Sequence, residues 1–170
     1  MKISTNLSRL AIQFGAITSV FVIILFLVFY IGGVPAFDPF YRIDVLVFLP
    51  FMVIVLYSWR KTYDELRFWQ GFVICFLMHV TITLLVSLFL IVFHNFIDPS
   101  FIEEGQEIMK ELALQKKAEW MTQGMTEEKF KALVESINKS TVSSIVKDKI
   151  IFYSGVGFIY SIILSVLFRK

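Results

Sequence analysis

The sequence predicts an all-α membrane protein: four transmembrane helices, with an amphipathic two-helix extracytoplasmic arm between the third and fourth spans. Three observations predict it. Hydrophobic residues make up 57% of the chain and the mean hydropathy is +0.75, too apolar for a water-soluble domain. Four runs with little or no charge, at about residues 10–31, 43–59, 68–96 and 150–168, approach or exceed the roughly 20 residues that cross a bilayer. Residues 98–149, in contrast, carry most of the ionisable groups, interleaved with apolar residues at helical spacing.

Composition also narrows the function classes. The formal charge is only +2 and basic residues are scattered among acids, so no broad electropositive face exists for nucleic acid. The single cysteine, Cys75, lies inside an apolar run and provides neither a disulfide pair nor a thiolate cluster. The first apolar run has a basic front in Lys2 and Arg9 and a small-x-small site at Val34 and Ala36, as a signal peptide would. At 22 residues it exceeds the roughly 7 to 15 of a secretory core, so it reads as a retained span.

Gly32, Gly33 and Pro35 close that first run, and a short link through Asp38, Pro39 and Arg42 leads to the second. The second run is short from Val45 to Trp59, so Ile43 joins it and Asp44 falls at the interface. Pro50 is expected to kink it. Arg60, Lys61, Asp64, Glu65 and Arg67 then form a charged turn. Trp59, Trp69, Tyr57 and Tyr63 around it suit the headgroup layer. The third run is uncharged from Phe68 to Phe93, and the fourth stops at Arg169 and Lys170.

Basic residues set the orientation. Lys2, Arg9, Arg60, Lys61, Arg67, Arg169 and Lys170 share one side, while the opposite short loop has only Arg42, which places both termini in the cytoplasm. The arm falls outside. Asp98 is expected to cap its first helix with Pro99 at the first helical position, and Glu103, Glu104 and Glu107 favour the positive end of the dipole. Phe101, Ile102, Ile108, Met109, Leu112, Ala113 and Trp120 form one apolar stripe, and Gly124 ends it. Thr126 caps a second helix, begun by Glu127 and Glu128, with Phe130, Leu133, Val134 and Ile137 on one face.

Three spans carry small or mildly polar residues four apart: Ala11, Gly15 and Ser19; Gly71, Cys75, His79, Thr83 and Ser87; Gly157, Ser161 and Ser165. In lipid, close backbone approach and interhelical hydrogen bonds hold helices together, so these rows are expected contact surfaces. The second span has no such row and is expected at the edge of the bundle or against a partner.

Chemistry-bearing groups are sparse. His79, with Thr83 one turn on, is the sharpest intramembrane candidate, although a neutral imidazole bonded to a hydroxyl on a neighbouring helix is the favoured reading. No intramembrane acid or base accompanies it, which weighs against a coupled transporter. His94, Asn95 and Asp98 gather at the outer end of the same span. The two histidines lie about 22 Å apart along the axis at about 1.5 Å per residue, too far to share an ion. Ser140, Thr141, Ser143 and Ser144 have no histidine near in sequence and no nucleophile elbow. Glu103, Glu104 and Glu107 lack the alternating pattern of a calcium loop, and no Gly-rich phosphate loop occurs.

The order of parts resembles the bacterial membrane proteins grouped as domain-of-unknown-function family 4199. The resemblance rests on Trp59-Arg60-Lys61-Thr62-Tyr63-Asp64-Glu65-Leu66-Arg67-Phe68-Trp69-Gln70-Gly71-Phe72, on Asp98-Pro99-Ser100-Phe101 opening a Lys- and Glu-rich arm, and on Gly157-Phe158-Ile159-Tyr160-Ser161 before a basic tail. It implies a bacterial inner-membrane protein with four spans and a long insertion before the last, and it implies no reaction. The expectation is therefore a non-enzymatic subunit or accessory factor of an envelope complex, embedded in the lipid bilayer and needing no cofactor or metal. Phe101, Ile108, Met109, Leu112, Trp120, Phe130, Leu133 and Ile137 would dock on other membrane or envelope proteins or on a second copy. The alternative is a small solute or ion transporter with His79 lining the path.

Overall fold

A computed structural model describes residues 2–34 and 39–169, with side chains for residues 6–34 and 43–169. Readings that fall on Pro35, Ala36, Asp38 and Lys170, or on the side chains of Lys2, Pro39 and Arg42, lie outside the described residues. The described secondary structure is helical throughout. In chain order it comprises α1 (Lys2–Ile31), a 3₁₀ segment (Pro39–Val47), α2 (Phe48–Tyr63), α3 (Phe68–Val92) prolonged by a π turn (Phe93–Ile97), α4 (Phe101–Thr122), α5 (Glu127–Asn138) and α6 (Val142–Phe168). Four stretches, Asn6–Ile31, Ile43–Tyr63, Phe68–Ile97 and Val142–Phe168, are long and apolar enough to cross a membrane. They are consistent with a multi-pass membrane protein.

Local chemistry sets the helix ends. Gly33 and Gly124 adopt φ +73° and +95°, conformations that cost glycine little. Each lets the amide one residue further on reach back across the last turn, Val34 to Phe29 O at 3.0 Å and Met125 to Trp120 O at 2.9 Å. Thr126 accepts from the Lys129 amide to cap α5. Thr141 and Ser144 form a reciprocal capping box on α6.

Several boundaries differ from the sequence reading. The last helix begins at Val142, so the final eight residues of the 98–149 arm belong to the span that follows it. Helix α4 begins at Phe101 with Ser100 at the N-cap, although the Asp98 carboxylate still supplies the cap by accepting from the Ser100 and Phe101 amides. Pro50 does not interrupt a helix. It stands in the first turn of α2, directly after the 3₁₀ segment, at the change from one helix type to the other.

Helix α3 is the hub, packed along α1 on one side and α6 on the other. Gly15 meets Met78 and Thr81 while Phe26 meets Phe93, so α1 runs parallel to it; Gly71 meets Ser165 while Gly157 meets His79, so α6 runs antiparallel. A Cβ on Gly15 would lie 2.7 Å from Thr81 Cβ and 2.8 Å from Met78 O, so only glycine permits this approach. Ala11, Gly15, Ser19, Gly71, Cys75, His79, Thr83, Ser87, Gly157, Ser161 and Ser165 are all buried. Four of their hydroxyls, however, turn back onto their own helices. Ser19, Thr83, Ser161 and Ser165 each donate to the carbonyl four residues earlier in their own helix. Close packing, not interhelical hydrogen bonding, is what these rows contribute.

Helix α2 lies against α1, α3 and α6 and is not an edge element. It has no small-residue row because large side chains, Phe48, Met52, Val55, Leu56 and Trp59, fill the space instead. Trp59 is therefore a core residue, 1% exposed, and only Trp69 at 67% fits the interfacial role given to both.

Candidate functional site

The chain leaves the bundle for the charged hairpin after α3 and returns to it in α6, and a buried or half-buried carboxylate is engaged near each of these two roots. At the first root, the π turn carries the chain from α3 to Asp98, whose amide donates to Phe93 O at 2.9 Å. Asp98 Oδ1 accepts from the Ser100 amide, the Ser100 hydroxyl and the Phe101 amide at 3.0, 2.6 and 3.1 Å. Its Oδ2 accepts from the Tyr30 hydroxyl at 2.8 Å, tying the end of α1 to the start of α4. These donors hold the Asp98 carboxyl below its ordinary value, the Ser100 hydroxyl contributing most. Phe101 then enters an aromatic cluster, edge-on to Phe26, Tyr30 and Phe93 at centroid distances of 5.5 to 5.8 Å.

At the second root, α6 carries Lys149 and Tyr153 one turn apart, facing Asp44 in the 3₁₀ segment. Lys149 Nζ and the Tyr153 hydroxyl both donate to Asp44 Oδ2, and Lys149 Nζ reaches the Tyr153 hydroxyl at 2.9 Å. Asp44 is 3% exposed and its Oδ1 is buried without a hydrogen-bond partner. The site continues inward through rings. Phe48 stacks edge-on to Tyr153 at 4.9 Å and lies 6.2 Å from His79, whose ring rests on Gly157. A Cβ on Gly157 would sit 2.6 Å from His79 Cε1 and closer still to Nδ1.

Two sequence expectations change here. Asp44, read as an interfacial acid, and Lys149, read as part of the arm, are instead buried against each other near the ends of the stretches Ile43–Tyr63 and Val142–Phe168. His79 was expected to bond a hydroxyl on a neighbouring helix. Instead its Nδ1 is buried with no partner, and Thr83 turns its hydroxyl to the His79 carbonyl. The missed signal was a base and an acid at the ends of two spans on the same side, with a tyrosine four residues past the base. Each alone reads as an interfacial residue.

The hairpin has its own small core. Ala113, Phe130 and Ile137 are buried, with Met109, Trp120, Met121, Met125, Leu133 and Val134 packed around them. Gln106 Nε2 donates to Ser140 O at 2.7 Å across the base. Of the residues expected to dock a partner, Phe101 joins the bundle, and Met109, Trp120, Phe130, Leu133 and Ile137 are used between α4 and α5. Leu112 is half-buried. Only Ile108 stays exposed, as does Leu114, which had not been singled out. His94 Nδ1 is buried without a partner, Asn95 donates to Ile91 O, and Asp98 is engaged as above, so the three do not converge. No group of three or more His, Cys, Asp or Glu suited to a metal occurs among the described residues.

A family model described as "Protein of unknown function (DUF4199)" matches residues 13–170. No curated protein and no solved structure matches the chain.

Proposed function

The chain belongs to the DUF4199 family, and on that premise we propose that it is a non-enzymatic integral subunit or accessory factor of a bacterial envelope complex. It sits in the inner membrane with both termini cytoplasmic, and the hairpin projects outward as the docking element. The observation that carries this reading is the anchored hairpin. A hairpin with its own core, tied at its first root by Tyr30–Asp98 and leading into a span anchored through Asp44–Lys149, presents a preformed surface, and preorganisation lowers the ordering cost of binding. Its surface is polar, with Ile108 and Leu114 as apolar points. In native gels of mildly solubilised membranes the full chain should migrate within a larger complex, and Ile108→Glu with Leu114→Glu should release it while the spans still insert. A chain that migrates alone in both forms rules the reading out. A cysteine label at Lys116 should react from the outer face, and reaction from the cytosolic face alone would overturn the orientation.

A second reading, a small solute or ion transporter, is favoured by one observation: the Asp44–Lys149–Tyr153 cluster continues toward His79 at mid-span. Buried ionisable groups that face the bundle interior commonly mark ion or proton pathways. Reconstituted vesicles should then show flux that His79→Leu and Asp44→Asn each abolish without loss of folding. Flux unchanged in both variants excludes it.

A further inference from the structure

A crevice of about 200 Å³ opens between α1 and α2 at the basic end of the bundle, opposite the hairpin. Asn6, Arg9 and Gln13 line it from α1, and Ser58, Trp59 and Tyr63 from α2. Arg9 makes no ion pair with a carboxylate among the described residues. Trp59 forms the floor of the crevice and is otherwise packed in the core. Asn6 bridges to the Tyr63 hydroxyl at 3.0 Å across the crevice, linking its two walls. The crevice thus combines a free guanidinium with amide and hydroxyl groups, with room for several waters at about 30 Å³ each.

We propose that this crevice binds a phosphate group, presented either by an anionic phospholipid headgroup or as free phosphate. Arg9 supplies the bidentate charge-assisted contact that guanidinium makes to phosphate oxygens, and the Asn6 and Gln13 side-chain amides on the same wall supply further donors. Basic pockets between membrane helices at the cytoplasmic surface recognise anionic headgroups in this way. The lipid source rests on the crevice lying at the headgroup layer, as the four-span reading requires. The phosphate chemistry does not.

Native mass spectrometry of the full chain in neutral detergent tests the site, with phosphatidylglycerol and inorganic phosphate added separately. The wild type should retain one phosphatidylglycerol, and Arg9→Gln should weaken retention by about tenfold or more, the scale of a lost charge-assisted contact. Gln13→Leu, on the same crevice wall, should weaken it too. Arg169→Gln, outside the crevice, should leave retention unchanged. Retention of inorganic phosphate that is equally sensitive to Arg9→Gln identifies the free anion as the ligand. Equal retention of both probes by wild type and Arg9→Gln, or retention of neither, overturns the proposal.

Discussion

At the residue scale, Gly157 and Gly155 provide a controlled comparison on one helix. A Cβ at 155 meets nothing within 4 Å, whereas at 157 it enters the His79 ring, which is buried and cannot retreat. Gly157→Ala should therefore destabilise the bundle by about 1 to 3 kcal/mol, the usual cost of overpacking, while Gly155→Ala should be neutral or stabilising by up to about 1 kcal/mol. Thermal unfolding in detergent measures both, and His79→Ala should relieve the first. The Asp44–Lys149 pair follows a different rule, since removing one partner strands a buried charge. Lys149→Met should cost about 3 to 5 kcal/mol, and adding Asp44→Leu should recover most of it. Equal stability of the single and double variants would show that the pair is not desolvated.

At the element scale, the hairpin is tied to its neighbours through few groups, so its stability is separable from that of the bundle. Phe130→Ala should remove about 3 kcal/mol or more from the α4–α5 core. Hydrogen exchange should then rise across Phe101–Thr122 and Glu127–Asn138 while α3 and α6 stay protected. The Asp98 root adds a pH dependence whose sign is fixed. Its carboxyl is held below the ordinary carboxylate value, chiefly by the Ser100 hydroxyl, so the charged form is favoured by folding. That contribution is present in full above the ordinary carboxylate value and is lost as pH falls through the lower folded one. Asp98→Asn should flatten the acid limb of a proteolysis profile taken at the start of α4.

At the scale of the whole molecule, the proposed topology puts two exposed leucines in different solvents. Leu84 on α3 is 64% exposed and Leu114 on α4 is 61% exposed. Leu84→Arg should cost about 2.5 to 3.5 kcal/mol of insertion near mid-bilayer, and Leu114→Arg, in water, should cost almost nothing. Insertion efficiency of the two variants reads the difference directly. The sequence by itself determined the four apolar stretches, the glycine stops at Gly33 and Gly124, the Thr126 cap and the small-residue rows, because periodicity and local backbone preference are properties of neighbouring residues. Only the tertiary structure decided that Asp44 meets Lys149 and Tyr153, that Tyr30 meets Asp98, that Trp59 lies inside, and that the apolar faces of α4 and α5 are largely covered by each other. Those partners are separated by up to 109 residues, and nothing in a one-dimensional pattern states which helix will stand opposite a given side chain.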